Sequence, residues 1–357
     1  MCRQSIRLLF FGTMNDIKSR DGTLARPTLP LVRLSLIMPF VEELDQLGVD
    51  ADVVLASNGL VRQSVADTSI FVPSMVVHRF LEDAATAAHH PYLGARVGER
   101  LDLAGWPPFV DAASRASTLG EFFTRFIQAA KDEASSARHV LEISSGYSYF
   151  KEMRTTHQEM APAQNDAFTA AFTLRLLQHG TGAHWDPGEV RITVCDPTAL
   201  PDAYMGASFI GGDRMGMVAR FPTEWLVLQL DRQQMSRTPT TQGKRLKIPV
   251  GFLDGFRQVL ILHLHDPGLS VDLAARLSGM SRQSLQRLLK SNGTTLSAEV
   301  TALKKRRAAE YLTETQQSVA QIAGALGFTD ATSFSRAFKS WTGESPRDYR
   351  KKWKGNQ

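Results

Sequence analysis

Over the last hundred residues, apolar side chains recur at spacings of three and four, the signature of helices that bury one face. The pattern predicts helices over 256–265, 271–277, 282–291, 296–312, 319–326 and 331–341, with a last short helix from Pro346 through Tyr349. Polar caps precede four of them, at Ser270, Ser281, Ser318 and Asp330, and Ser345-Pro346 supplies a cap followed by a proline suited to a first turn. Gly293 and Gly343 are stop signals. One helix pair is written twice. At an offset of 49, Leu273-Ala274 falls on Ile322-Ala323, Leu277 on Leu326 and Ser281 on Asp330. Ser284 then falls on Ser333, Leu285 on Phe334, Arg287 on Arg336 and Lys290 on Lys339. Each copy is a short apolar helix, a tight turn, a polar cap, and a second helix with an apolar inner and a basic outer face. That is the pattern of a helix-turn-helix.

Upstream the periodicity is mixed. Segments 76–88, 119–130 and 167–177 have helical spacing. The strongest, LGEFFTRFIQAA at 119–130, is opened by Ser117-Thr118 as caps and Glu121 in its first turn. Strand-like runs occupy 140–143, 189–194 and 217–221. The expected architecture is multidomain: an α+β domain over 31–230, then an all-α domain over 253–353 with two helix-turn-helix units joined by a long helix. Between them 231–250 is a linker, polar and carrying Thr-Pro and Gln-Gly. Residues 1–30 form a disordered tail, or a start codon placed too early with Met14 or Met38 as the true start. Leu8-Leu9-Phe10-Phe11 follows basic residues, but its apolar run is too short for a signal peptide and no small-residue cleavage site follows.

Composition adds boundaries to this picture. The 357 residues suffice for two or three domains, and 43% hydrophobic with 22% charged is ordinary for globular chains. No apolar run approaches the roughly 20 residues that span a bilayer, so no membrane partner is expected. Two cysteines, Cys2 and Cys195, have no paired spacing; they suggest neither a disulfide framework nor a zinc site, and a cytoplasmic location fits. Charge is uneven. Residues 253–357 carry 16 Lys and Arg against 9 Asp and Glu, whereas the rest carries 25 against 27. The basic excess lies with the duplicated helices, as in a polyanion binder.

In the first unit's second helix, Leu285, Leu288 and Leu289 share one face and are core candidates. Arg282, Gln283, Gln286 and Arg287 project elsewhere, with Lys290 one turn on. Arginine can take guanine bidentately and glutamine adenine, while lysine suits phosphates. In the second copy Phe334 and Phe338 face inward, Ala331, Thr332, Ser335 and Arg336 can face a groove, and Lys339 can reach the backbone. Lys304-Lys305-Arg306-Arg307 on the long helix is expected to be partly a solvated face paired with Glu310 and Glu314. The long helix would hold the two readers at a fixed separation, and successive major grooves lie about 34 Å apart.

These residues carry a resemblance. The segments SRQSLQRLLKSNGTTLSAEV and SVAQIAGALGFTDATSFSRAFKSWTGESPRDYR closely resemble AraC/XylS-type transcription regulators, over about 100 residues that include Ile322-Ala323, Gly327-Phe328, Phe334, Arg336, Phe338, Gly343, Pro346 and Tyr349. The resemblance implies two helix-turn-helix units on double-stranded promoter DNA, with Gln283, Gln286 and Arg287 base-facing in the first and Ala331, Thr332, Ser335 and Arg336 in the second. RNA polymerase is an expected partner, and activation is the commoner behaviour in the family. Upstream, ASTLGEFFTRF and GTGAHWDPGEVRITVCDPTALPDAYMGASFIGGDRMGMVARFPTEWL resemble an arabinose-binding-like N-terminal domain of one subgroup. That domain implies a sensor or dimerising module whose small-molecule effector differs between members, and a homodimer. Sugar is not implied.

Effector candidates are aromatic and cationic: Trp106, Tyr147, Tyr149, Arg154 and Arg175, with Trp185 and Trp225 also able to line a pocket. No metal or other cofactor is expected. His89-His90, His179 with His184 and His263 with His265 lack Cys or carboxylate neighbours at ligand spacing, and the last pair falls within the helix over 256–265. Gly211–Gly216 lacks the Lys-Ser/Thr of a phosphate loop. The alternatives to an effector-responsive regulator are a constitutive binder whose first domain only dimerises, and a regulator fused to a catalytic domain. In the latter Cys195 would react, although no basic residue activates it in sequence.

Overall fold

The computed structural model describes residues 29–103, 106–230, 247–249 and 251–354. Most of the expected tail and linker therefore lies outside the described residues. The chain divides into two compact units, Met1–Ile248 and Pro249–Gln357.

The first unit mixes helices with a sheet. A short ribbon pairs β1 (Leu31–Arg33) antiparallel with β2 (Phe71–Pro73). Around it lie α1 (Met38–Gln46), α2 (Ala51–Ser57), α3 (Arg62–Ala66), α4 (Ser74–Ala87), α5 (Leu93–Arg100), α6 (Pro107–Arg115) and α7 (Leu119–Ala130). A hairpin of β3 (Ala137–Ile143) and β4 (Tyr147–Arg154) leads to α8 (Ala163–Thr181). With β5 (Arg191–Val194), β6 (Ser208–Gly211) and β7 (Gly216–Pro222) the hairpin forms a five-stranded sheet ordered β3-β4-β7-β5-β6, parallel only between β5 and β6.

Local chemistry explains these elements. The α7 start is doubly capped: the Glu121 N–H donates to Thr118 Oγ1 at 3.2 Å, and the Ser117 N–H donates to the Glu121 carboxylate at 2.8 Å. Leu119, Phe122, Phe123 and Phe126 are then buried on one face. α8 is longer than its predicted core of 167–177 because it is buried on nearly every side, which leaves little polar contrast to mark its ends. It packs closely on α5, where a Cβ added to Gly94 would lie 2.1 Å from the Gln164 carbonyl oxygen. In β1, Arg33 is fully buried; its Nε donates to Glu133 at 2.8 Å and its guanidinium lies 4.5 Å from the Phe71 ring centre.

The second unit is entirely helical among its described elements: α9 (Phe252–Leu262), α10 (Val271–Leu277), α11 (Arg282–Ser291), α12 (Leu296–Glu314), α13 (Val319–Ala325), α14 (Ala331–Thr342) and α15 (Pro346–Lys354). α9 ends before His263, so His263 and His265 lie beyond that helix rather than inside it. Ser270, Ser281, Ser318 and Asp330 accept backbone N–H donors as N-caps, and Ser318 with Gln321 closes a reciprocal capping box. Gly343 closes α14 in the left-handed region. The 19 residues of α12 span about 28 Å at 1.5 Å per residue.

The duplication needs one correction. The buried triad Ala274, Ala275 and Ser278 of the first unit corresponds to Ile322, Ala323 and Leu326 of the second, at an offset of 48 rather than 49. Capping residues Ser270 and Ser318 agree, as do the turn glycines Gly279 and Gly327, at φ of 68° and 70°. The second helices, capped by Ser281 and Asp330, keep the offset of 49. The second turn thus holds one residue more than the first.

Candidate nucleic-acid interface and ligand cavity

Burial of the apolar faces orients the two second helices. In α11, Leu285 and Leu289 are buried and Leu288 half-buried, leaving Arg282, Gln283, Gln286, Arg287 and Lys290 exposed. In α14, Phe334 and Phe338 join a core with Ala308, Leu312, Ile322, Ala323 and Leu326. Thr332, Arg336 and Lys339 are exposed, whereas Ala331 and Ser335 are half-buried. The Ser335 hydroxyl donates back to the Ala331 carbonyl at 2.7 Å, so it can still accept from a ligand. Arg282 is held by Asp272 of α10 at 2.9 Å. The side chains of Gln283, Gln286, Arg287, Lys290, Thr332, Arg336 and Lys339 have no hydrogen bond or ion pair among the described residues. Each helix therefore presents a row of unengaged donors outward from an apolar base.

The basic run on α12 has different work. Lys304 sits 4.8 Å from the centre of the Phe328 ring, and burial pulls its ammonium below the usual lysine range. Lys305 donates to the Trp341 carbonyl at the end of α14 at 2.6 Å. Arg306 and Arg307 both pair with Glu310; among the described residues no ion pair joins the run to Glu314. Arg350 of α15 donates to the carbonyls of Leu312 and Gln317 at 3.2 and 2.6 Å. At the other end, Arg257 of α9 bonds the buried Glu299 of α12 at 2.8 Å, and Thr294 shares that carboxylate. These contacts tie α9, α14 and α15 to α12.

The first unit contains a cavity of about 610 Å³. Phe126 of α7, Phe168 and Phe172 of α8, and Trp106 give it an aromatic wall; Trp106 meets Phe172 edge-on at 5.0 Å. One part of its polar lining is made by His78 of α4, His139 of β3, Glu152 and Arg154 of β4, and Asn165 and Thr169 of α8; Glu43, Arg100 and Glu133 line it elsewhere. Strand alternation decides membership: Phe150, Glu152 and Arg154 point inward, while Tyr147, Tyr149 and Lys151 take the opposite face. Of the effector candidates, Trp106 and Arg154 line this cavity. Tyr147 instead donates to Glu189 at 2.9 Å beneath the Arg220 guanidinium, and Tyr149 lies under Lys151. Arg175 caps α5, donating to the Gly98 and Leu101 carbonyls at 3.0 Å. Trp185 and Trp225 pack on each other at 5.8 Å in the core.

Ion pairs dominate the polar side. Arg154 bonds Asp166, which also accepts the Cys195 N–H at 2.8 Å. Burial raises the Glu152 carboxyl, but the nearby His139 ring and the charge of Arg154 outweigh it and hold the group ionised, at about 2. Burial, reinforced by Arg154, pushes the His78 imidazole down to about 4. Cys195 is half-buried, and burial together with the Asp166 carboxylate pushes its thiol upward, the opposite of an activated nucleophile. Among the described residues no group of three His, Cys, Asp or Glu side chains is placed to hold a metal ion, and no helix is long and apolar enough to cross a membrane.

Residues 273–352 match the model of a helix-turn-helix domain, and residues 48–210 that of the arabinose-binding domain of AraC transcription regulators. The regulatory protein SoxS of Escherichia coli K12 is 33% identical over 89 residues, covering 25% of this chain and 82% of SoxS. The chain belongs to the AraC family of transcription regulators. An ornithine utilization regulator of Pseudomonas aeruginosa is 43% identical over 152 residues, 38% of this chain and 44% of that regulator. The crystal structure of the transcriptional regulator CdpR from Pseudomonas aeruginosa is 18% identical and covers 84% of this chain and 96% of CdpR, with a TM-score of 0.36. The chain spans about half the length of the first curated AraC-type relatives it matches.

Within this AraC-type frame, sequence reasoning overlooked His78, His139, Glu152, Asn165 and Thr169. A signal existed for the last two: with Phe168 and Phe172 they fall at i, i+3, i+4 and i+7, one face of a helix.

Proposed function

We propose that the chain is a sequence-specific DNA-binding transcription regulator, an activator, whose first domain senses a small-molecule effector and dimerises. The observation that carries this reading is the pair of capped second helices, α11 and α14, each with unengaged polar side chains facing away from an apolar core. Arg282, Gln283, Gln286 and Arg287 read bases, with Lys290 on phosphate. Ala331, Thr332, Ser335 and Arg336 form the second reader, with Lys339 on phosphate. Ala331 and Thr332 favour methyl contacts over hydrogen-bonded readout. The aromatic cavity with a charged side supports the sensor role, since it has the size and wall chemistry of a small-molecule site. An effector shifts DNA binding only if it binds one state of the protein better than another. In this reading the protein works in the cytoplasm, with promoter DNA and RNA polymerase as partners, and catalyses no reaction; the unactivated Cys195 supports that last point.

The test is fluorescence anisotropy of the purified chain on DNA from its own upstream region, against a random duplex at the same salt. The expected preference is about a thousandfold or more. Equal weak binding to both duplexes, with and without candidate effectors, would sink the reading.

A further inference from the structure

Two acceptors on the polar side of the cavity keep lone pairs that no described residue takes up. His78 is buried, at 6% exposure, and its Nδ1 lies 3.0 Å from Gln158 Oε1. That amide is oriented by its own nitrogen, which donates to the Thr156 carbonyl at 2.9 Å. Oε1 can then only accept, so Nδ1 carries the proton and Nε2 keeps its lone pair. No described residue hydrogen-bonds to Nε2, which makes it a bare acceptor on a cavity-lining ring. With its basicity suppressed by burial, the ring stays neutral near pH 7.

Glu152 is the second acceptor. It takes hydrogen bonds from Asn165 at 3.3 Å and Thr169 at 3.2 Å, both neutral donors, and each oxygen has a further lone pair. Its nearest arginine, Arg154, is 3.9 Å away and bonded to Asp166, whose two oxygens both accept N–H donors in the manner of a carboxylate. One guanidinium is thus shared between two acidic side chains, and burial pushes the Asp166 carboxyl upward against its pull. His139 lies directly opposite Glu152 across the β3–β4 pair, 3.7 Å from it. A carboxylate held ionised at a cavity wall, bonded by neutral donors and near a guanidinium engaged elsewhere, attracts a further cation. The facing wall of Trp106, Phe126 and Phe172 is one that attracts cations to its π-faces and apolar groups to its bulk.

We infer that this cavity takes an organic cation: an ammonium group donating to Glu152 and His78 Nε2, carried on an apolar or aromatic body that fills the Trp106–Phe126–Phe172 side. The inference rests on the cavity being the sensor site of the proposed regulator, and it names the chemistry that site recognises. A carboxylate ligand would face Glu152 unfavourably, and a neutral alcohol would supply a hydrogen bond without a positive charge.

The experiment is isothermal titration calorimetry of the full chain with two matched series: phenethylamine, 2-phenylethanol and phenylacetate; hexylamine, 1-hexanol and hexanoate. At least one amine is expected to bind at least about tenfold tighter than its alcohol and its acid, the margin of a charge-assisted over a neutral contact. Glu152→Gln is expected to remove that margin by weakening the amines far more than the alcohols. Alcohols or acids binding as well as the amines, neither amine binding, or an unaltered margin in a folded Glu152→Gln protein would each overturn the inference. Should Glu152→Gln not fold, the comparison on the native chain decides alone. Anisotropy on upstream DNA keeps the two readings apart. Amines that bind without altering DNA affinity uphold the cavity chemistry and remove the effector role; a non-cationic compound that alters DNA affinity from this cavity does the reverse.

Discussion

Arg287 and Lys339 are both exposed cations on second helices, yet they are expected to fail differently. Arg287 has a planar fork that can address a base edge, so Arg287→Ala should cost about 1–3 kcal/mol on the operator and relax one base preference. Lys339 is a point charge near the end of α14. Lys339→Ala should weaken binding to all sequences alike and lower the salt slope by about one. Anisotropy titrations across a salt series separate them; equal losses on operator and random DNA for Arg287→Ala would remove it from base readout. His78 makes a prediction of the opposite kind, about the protein alone. Its folded value of about 4 lies below the ordinary histidine value of 6.5, so the unfolded chain takes up a proton first as pH falls. Stability should be full above pH 6.5 and decline between 6.5 and 4, by about 3 kcal/mol at most from this ring. Urea titrations from pH 7.5 to 4 should show a shallower decline for His78→Gln; the same slope in both proteins would mean that the ring is not buried neutral.

Elements differed in how openly the sequence declared them. The bounds of α7, α10 and α11 were legible because each joins a capping side chain to a one-sided apolar pattern. β4 was not, although Tyr147, Tyr149 and Arg154 drew attention separately. Its inward positions alternate Ser148, Phe150, Glu152 and Arg154, so the polarity that builds the cavity also erases the apolar alternation that marks a strand. The same parity would have warned against grouping Tyr147 and Tyr149 with Arg154, since odd and even positions take opposite faces. β1 and β2, at three residues each, are too short to carry any period. The one-residue difference between the two helix-turn-helix turns was hidden because apolar residues of each first helix align passably at either offset; the turn glycines decide. Gly327 is held at φ 70°, and a Cβ there would meet the His265 and Leu264 carbonyl oxygens at 2.8 Å. Gly327→Ala should therefore destabilise the second unit by roughly 1–3 kcal/mol, from the strained dihedral and the close backbone together. Chemical denaturation of the full chain, followed through DNA-binding competence, checks this; an unchanged midpoint would mean that the turn relaxes freely.

For the whole molecule, the duplicated unit is the feature with the longest reach. Its two copies share a plan but differ in the turn, and their outer faces differ in kind: α11 carries two glutamines and two arginines where α14 offers Ala331, Thr332, Ser335 and a single arginine. Between them stands one helix, bonded to α9 through Glu299, to α14 through Lys305 and to α15 through the Leu312 carbonyl. A protein built this way has a head and a tail. Its target on DNA is a phrase with a beginning and an end, and turning that phrase end for end within a promoter turns the protein with it, carrying whatever the first domain presents to the opposite side. Promoter output from the inverted site, compared with the native one at equal occupancy, should therefore change, even though every base contact is preserved.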